Sequence, residues 1–169
     1  THDQIEAMSM GDRVGVLNEG RLVQVGTPNR IYNHPVDTFV ATFVGSPAMN
    51  LLPAAIEDGR LLVPGAFSLP LGEAGRTRLA PAGSALTLGV RAEDIAIGRG
   101  EGRARVHHVE NHGVEQVVTL RTGETLFKAT APAVARLGID EEVPFAIDER
   151  RVHGFDPASG RNLTRGNDD

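Results

Sequence analysis

RARVHHVENHGVEQVVTLR, residues 103–121, carries the reading that decides the fold class. Ala104 and Val106 alternate with Arg103 and Arg105, the period of two of a strand with one face inward and one face in solvent. Asn111, His112 and Gly113 then break the run, and a second β-like run covers 114–121, so the segment reads as strand, turn, strand. Three histidines fall within it. His108 and His112 are four apart, a spacing that on a helix would put two metal ligands on one face. A strand-turn-strand path removes that shared face, and His107, His108 and His112 are read as a solvated hairpin.

Outward from this hairpin the texture persists. Short β-like runs at 51–57, 60–63, 85–91, 94–98, 103–110, 114–121, 125–129, 143–147 and 152–155 are separated by Gly, Pro and charged turns, which predicts a mainly β barrel or sandwich. The polar tail after Arg161 is expected to fray. Before residue 46 the pattern is mixed. Asp3 and Glu6 form a capping box for a short helix ended by Gly11. Residues 13–17 and 22–25 flank Asn18-Glu19-Gly20 as a hairpin. Thr27-Pro28 starts a brief helix through Tyr32, and Val36, Phe39, Val40, Phe43 and Val44 mark the buried stripe of another, stopped by Gly45. Two units are expected: residues 1–46, small and α/β, and residues 47–169, a β-domain.

Composition excludes several classes. The chain has 169 residues, Gly 20, Pro 10, no cysteine and a net charge of −5, so no disulfide framework forms. An acidic balance with seven scattered aromatics argues against nucleic acid as a partner. No apolar run approaches the ~18–20 residues that cross a bilayer, and no basic flank with an apolar stretch opens the chain. Neither secretion by a visible signal nor membrane insertion is expected. Lys128 is the only lysine. It lies between Phe127 and Ala129, so the G-x-x-x-x-G-K-[ST] loop that cradles nucleotide phosphates is missing from the sequence. Nucleophile elbows, cysteine nucleophiles and C-x-x-C pairs are missing too. Asp140, Glu141 and Glu142 read as a solvated turn rather than a carboxylate site.

A longer set of motifs carries a resemblance. Thr1-His2-Asp3-Gln4-x-Glu6-Ala7-Met8, Asp12-Arg13 and Gly20-Arg21-Leu22-Val23-Gln24-x-Gly26-x-Pro28 resemble the end of the ATP-binding subunit of ABC importers. Phe39-Val40-Ala41-x-Phe43-Val44-Gly45-Ser46-Pro47-x-Met49-Asn50 narrows the likeness to the carbohydrate branch, the ATPases of maltose-type and glycerol-3-phosphate-type uptake. Gly89-Val90-Arg91-x-Glu93, Val109-Glu110-x-x-Gly113-x-Glu115 and His153-x-Phe155-Asp156 resemble that branch's regulatory domain of OB-like (TOBE-type) units.

The resemblance implies that residues 1–46 finish a nucleotide-binding domain and that 47–169 form the regulatory OB-like β-domain. It implies that His2 is the switch histidine touching the γ-phosphate of ATP. The intact subunit would use ATP and Mg, pair with a second copy of itself, and sit on the cytoplasmic face of the membrane against permease subunits. A regulatory protein or metabolite on the β-domain is a further implied partner. The phosphate loop, signature sequence, magnesium-binding aspartate and catalytic glutamate would all precede Thr1. The 169 residues are therefore expected to be a carboxy-terminal fragment, inactive as an ATPase and without a cofactor of its own. A different reading is a free-standing β-barrel that binds a small oxyanion or sugar, with Arg91, Arg103 and Arg105 neutralising an anion. Against it, Arg103 and Arg105 line the solvent face of their strand.

Overall fold

A computed structural model describes Thr1 and residues 3–164. His2 lies outside the described residues. The chain begins with α1 (Gln4–Met10), whose Asp3 side chain accepts from the Glu6 amide, as the capping box requires. β1 (Val14–Asn18) and β2 (Arg21–Gly26) form an antiparallel hairpin. Its two turn residues, Glu19 and Gly20, both have positive φ, the type I′ geometry that suits strand twist. Thr27 caps α2 (Pro28–Asn33). Asp37 caps α3 (Thr38–Phe43), a helix shorter than the expected stripe because Val36 and Val44 lie beyond its ends. Val16, Ile31, Val40 and Val44 pack together as a small core under these elements.

The larger core lies further along. β3 (Asn50–Glu57), β4 (Arg60–Val63) and β5 (Phe67–Pro70) are followed by α4 (Glu73–Leu79), β6 (Ala85–Val90), β7 (Ile95–Asn111) and β8 (Glu115–Thr122). β9 (Thr125–Pro132), β10 (Glu142–Ile147) and β11 (His153–Phe155) complete the chain. Among the described residues these strands make two antiparallel sheets, in the orders β11-β6-β3-β4-β5 and β10-β7-β8-β9. One hydrophobic cluster fills the space between them, from Leu52 and Leu88 on one sheet to Val106, Leu120 and Ala129 on the other. Phe67, Phe127 and Phe145 meet at its centre, with ring centroids 5.1 to 5.7 Å apart. Edge-to-face and tilted pairs of this kind add to the gain from burial. The mainly β, OB-like class expected from the sequence is the one observed.

Two differences from the sequence reading have physical causes. Residues 94–98 and 103–110 form one continuous strand, β7. Gly100 and Gly102 keep it unbroken, because a Cβ at Gly102 would stand 2.6 Å from the Phe145 ring. β5 and α4 fall where a loop was read. α4 lacks a side-chain cap of its own; the Glu149 carboxylate accepts from the amides of Gly72 and Gly75 instead. Asn50 ties the two sheets together. Its amide nitrogen donates to the carbonyls of Val90 and Lys128, and its oxygen accepts from the Lys128 amide at 2.7 Å.

Candidate functional site

The most polar buried region lies where β6 ends, facing α2. Arg91 follows the last residue of β6 and is only 3% exposed. Its Nη1 donates to the Val44 carbonyl at 2.9 Å and its Nη2 to the Tyr32 carbonyl at 2.7 Å. The guanidinium carbon also stands 3.6 Å from the centre of the Tyr32 ring. A planar fork that bonds and stacks at once is a property of arginine that lysine cannot reproduce. Tyr32 in turn donates from its hydroxyl to Glu93 at 2.6 Å. Burial, followed by that bond to Glu93, pushes the phenol up to about 12. It remains a neutral donor.

Beside this clamp, Asp94 pairs with Arg151 at 2.6 Å, and Arg151 also donates to the side chain of Asn33 in α2 at 2.9 Å. Burial raises the Asp94 carboxyl, with Arg151 working in the opposite direction. Arg78 of α4 donates to the Val152 carbonyl at 2.9 Å. His153 is 4% exposed. Burial, then the positive charges of Arg78 and Arg91, push its imidazole down to about 3, so the ring is neutral at ordinary pH. These groups surround a cavity of about 200 Å³ whose walls carry Arg78, Arg91, Arg150 and Arg151, the imidazoles of His34 and His153, and the carboxylate of Asp94.

The other candidate residues stand apart from this cavity. Arg103 and Arg105 are exposed on β7 while Ala104 and Val106 are buried, as their alternation predicted. Their guanidinium groups bond main-chain carbonyls of Gly100, Gly102 and Asp140. Arg91 and these two arginines thus do not converge on one anion. His108 and His112 flank Glu110 at 3.8 and 3.6 Å on the exposed β7–β8 hairpin. Among the described residues no group of three His, Cys, Asp or Glu is placed to hold a metal. Asp140, Glu141 and Glu142 are exposed at the turn into β10, where Glu141 accepts from the Gly138 amide. Lys128 lies within β9, opposite Thr119 of β8. A phosphate loop requires its lysine at the start of a helix after a glycine-rich turn, and Lys128 is not placed in that way.

Sequence reasoning singled out Arg91 and Glu93 through one motif and His153 through another. It missed Tyr32, Asn33, Arg78, Asp94 and Arg151, whose partners lie tens of residues away.

Comparison with known proteins turns on the same stretch. The MalK OB fold domain matches residues 45–95 and the TOBE domain matches residues 88–155. The chain belongs to the MalK-type OB-fold and TOBE family. The two MalK-type domain matches overlap at residues 88–95, the segment that carries Arg91, Glu93 and Asp94. Among the relatives, the chain is 40% identical to the trehalose/maltose import ATP-binding protein MalK of Thermococcus litoralis, over 96% of this chain and 47% of that protein. It is 44% identical to the sn-glycerol-3-phosphate import ATP-binding protein UgpC of Rhizobium meliloti, over 96% and 45%. It is 41% identical to the xylose/arabinose import ATP-binding protein XacK of Haloferax volcanii, over 96% and 44%. The chain spans under half the length of each of these MalK-type relatives.

Proposed function

We infer that the chain is the regulatory, self-associating part of an ATP-binding subunit that energises import of a sugar or of glycerol 3-phosphate. The observation that carries this reading is the match over 96% of the chain to import ATP-binding proteins, with the MalK-type OB fold and TOBE domains following one another inside it. Residues 1–46 close a nucleotide-binding domain and residues 47–169 form the regulatory β-domain. Arg91, Asp94 and Asn162 reach from the second of these to the first, through Tyr32, Val44, Arg151 with Asn33, and Pro35. Contacts of this kind can bias an open-to-closed equilibrium of the whole subunit, a coupling typically worth ~1–3 kcal/mol.

In the intact subunit, His2 would contact the γ-phosphate of ATP held with Mg by residues outside this chain. An imidazole suits that role because it can donate near neutral pH. The subunit works on the cytoplasmic face of the membrane against permease subunits. Among the described residues no helix is long and apolar enough to cross a membrane. Exposed apolar side chains on α1 and the first hairpin, including Ile5 at 80% and Met10 at 79%, are surfaces the rest of the nucleotide-binding domain would cover.

The test is mass by light scattering. One chain weighs 18.0 kDa. A two-chain particle at micromolar concentration is expected, since isologous pairs are the commonest assembly. A single-chain particle that persists to millimolar concentration overturns self-association.

A further inference from the structure

We propose that the peptide group between Val44 and Gly45 is a joint through which α1 and the β-domain bias each other, with Gln4 the positioning residue on the α1 side and Arg91 on the other. The trigger that displaces α1 rests on the importer reading; the joint itself does not.

One peptide plane is held at both ends. The Val44 carbonyl accepts from Arg91 Nη1 at 2.9 Å, and the Gly45 amide donates to Gln4 Oε1 at 3.2 Å. Carbonyl and amide belong to one rigid unit, because the C–N bond between them resists rotation. A tilt of this plane that lengthens one bond therefore misaligns the other. Each bond also polarises the peptide in favour of its neighbour, as in any chain of hydrogen bonds away from water.

Gly45 fits this joint and no larger residue does. Its φ of 110° lies in the left-handed range, and a Cβ there would stand 2.8 Å from Arg91 Nη1 and 3.1 Å from the Tyr32 ring. Only glycine lets Arg91 and Tyr32 close over the peptide while its amide stays turned to Gln4.

The two holders differ in how firmly they are fixed. Arg91 is buried, bonded to the Tyr32 carbonyl and stacked on the Tyr32 ring. α1 buries none of its residues, and Met8 is its one side chain packed against the small core. Among the described residues, the bond from Gln4 is the one hydrogen bond that joins α1 to a later part of the chain. A lightly held helix is thus tied by a single bond to a firmly held peptide, and its displacement is felt there first.

α1 begins two residues after His2. With His2 on the γ-phosphate of ATP, a shift of that segment on nucleotide binding would pass to Gln4, to the Val44–Gly45 peptide and so to Arg91 at the end of β6. Coupling is reciprocal, so a partner that displaces Arg91 alters the hold on α1.

The experiment compares Gln4→Met, which keeps the length and removes the acceptor, with Gln4→Glu, which keeps an acceptor. Gln4 is half-buried on a helix with no buried residue, so neither variant disturbs a core. In the 169-residue chain, NMR follows amide exchange at Gly45 and the ¹⁵N resonances of the Arg91 guanidinium. Gln4→Met is expected to speed Gly45 exchange about tenfold, the loss of one ordinary hydrogen bond, and to shift the Arg91 resonances. Gln4→Glu should stay near the natural chain in both. In the intact subunit, saturating ATP with Mg should change hydrogen exchange across residues 85–91 in the natural protein and in Gln4→Glu, and not in Gln4→Met. Unchanged Gly45 exchange in Gln4→Met, Arg91 resonances that stay still when Gly45 responds, or an ATP response at 85–91 that is absent from the natural subunit or survives Gln4→Met overturns the proposal. A natural subunit that binds no ATP overturns the importer reading and the trigger with it, whatever the 169-residue chain shows.

Discussion

The amide nitrogen of Asn162 lies 3.3 Å from Nδ1 of His153, inside the fold and nine residues away. Asn162 is held in one orientation, because its oxygen accepts from both the amide and the hydroxyl of Thr164 while its nitrogen also donates to the Pro35 carbonyl at 2.8 Å. The nitrogen must therefore donate to His153, and the imidazole must accept.

A protonated His153 would lose that bond and face Arg78, Arg91, His34 and Arg151 as a further positive charge. Its pKa is about 3 in the fold against about 6.5 in the unfolded chain. Between those values the unfolded chain binds the proton and the folded chain does not, so this contribution is fully present above pH ~6.5 and is lost as pH falls. Lowering the pH from 7 to 5 should cost about 2 kcal/mol through His153 alone. Urea midpoints at the two pH values, compared between the natural chain and His153→Gln, check this; equal pH dependence in both would refute it.

Arg91→Lys is expected to destabilise the chain by about 2–4 kcal/mol. The ammonium cannot reach the Tyr32 and Val44 carbonyls together while lying flat on the Tyr32 ring. Hydrogen exchange should report the loss first in residues 27–45, ahead of the β-sheets. Uniform loss across all strands would mean that Arg91 holds the whole fold and not this junction.

Gly89→Ala tests packing under β11. The added methyl would stand 2.8 Å from the Met49 sulfur and collide with the Phe155 ring, which is wholly buried. An overpacking cost of about 1–3 kcal/mol follows. Thermal unfolding reads it directly, and an unchanged midpoint would show that Met49 and Phe155 move aside freely.

Much of the local structure was legible in the sequence because its signals are local. Asp3 with Glu6, Thr27 with Pro28, and Glu19 with Gly20 each act within four residues. α4 was invisible for the opposite reason. Its first turn is capped by Glu149, which lies more than seventy residues downstream, and its burial falls on Gly75 and Leu79, too few apolar positions for a stripe. β7 was read as two strands because Gly98, Gly100 and Gly102 resemble a turn, and only the Phe145 ring packed over Gly102 reveals why the strand continues. The arginine-lined cavity was equally hidden. Arg78, Asn33 and Arg151 look like surface residues one at a time, and their convergence is a matter of tertiary path.

The chain by itself, given ATP and Mg, is expected to release no phosphate above buffer. Lys128 is fixed in the middle of β9, and the described residues offer no cradle of amides at a helix start for the outer phosphates. Turnover that follows the protein through a final column would contradict this.

Arg91 grips the carbonyl oxygens of both Tyr32 and Val44, and at Val44 it uses the carbonyl alone. At position 44, any residue that keeps the local backbone path presents the same oxygen. What restricts the side chain there is its packing against Val16, Ile31 and Val40, and not the bond to Arg91. Drift is far less tolerated at Arg91 itself, so the bond to position 44 places its own sequence requirement in one partner alone.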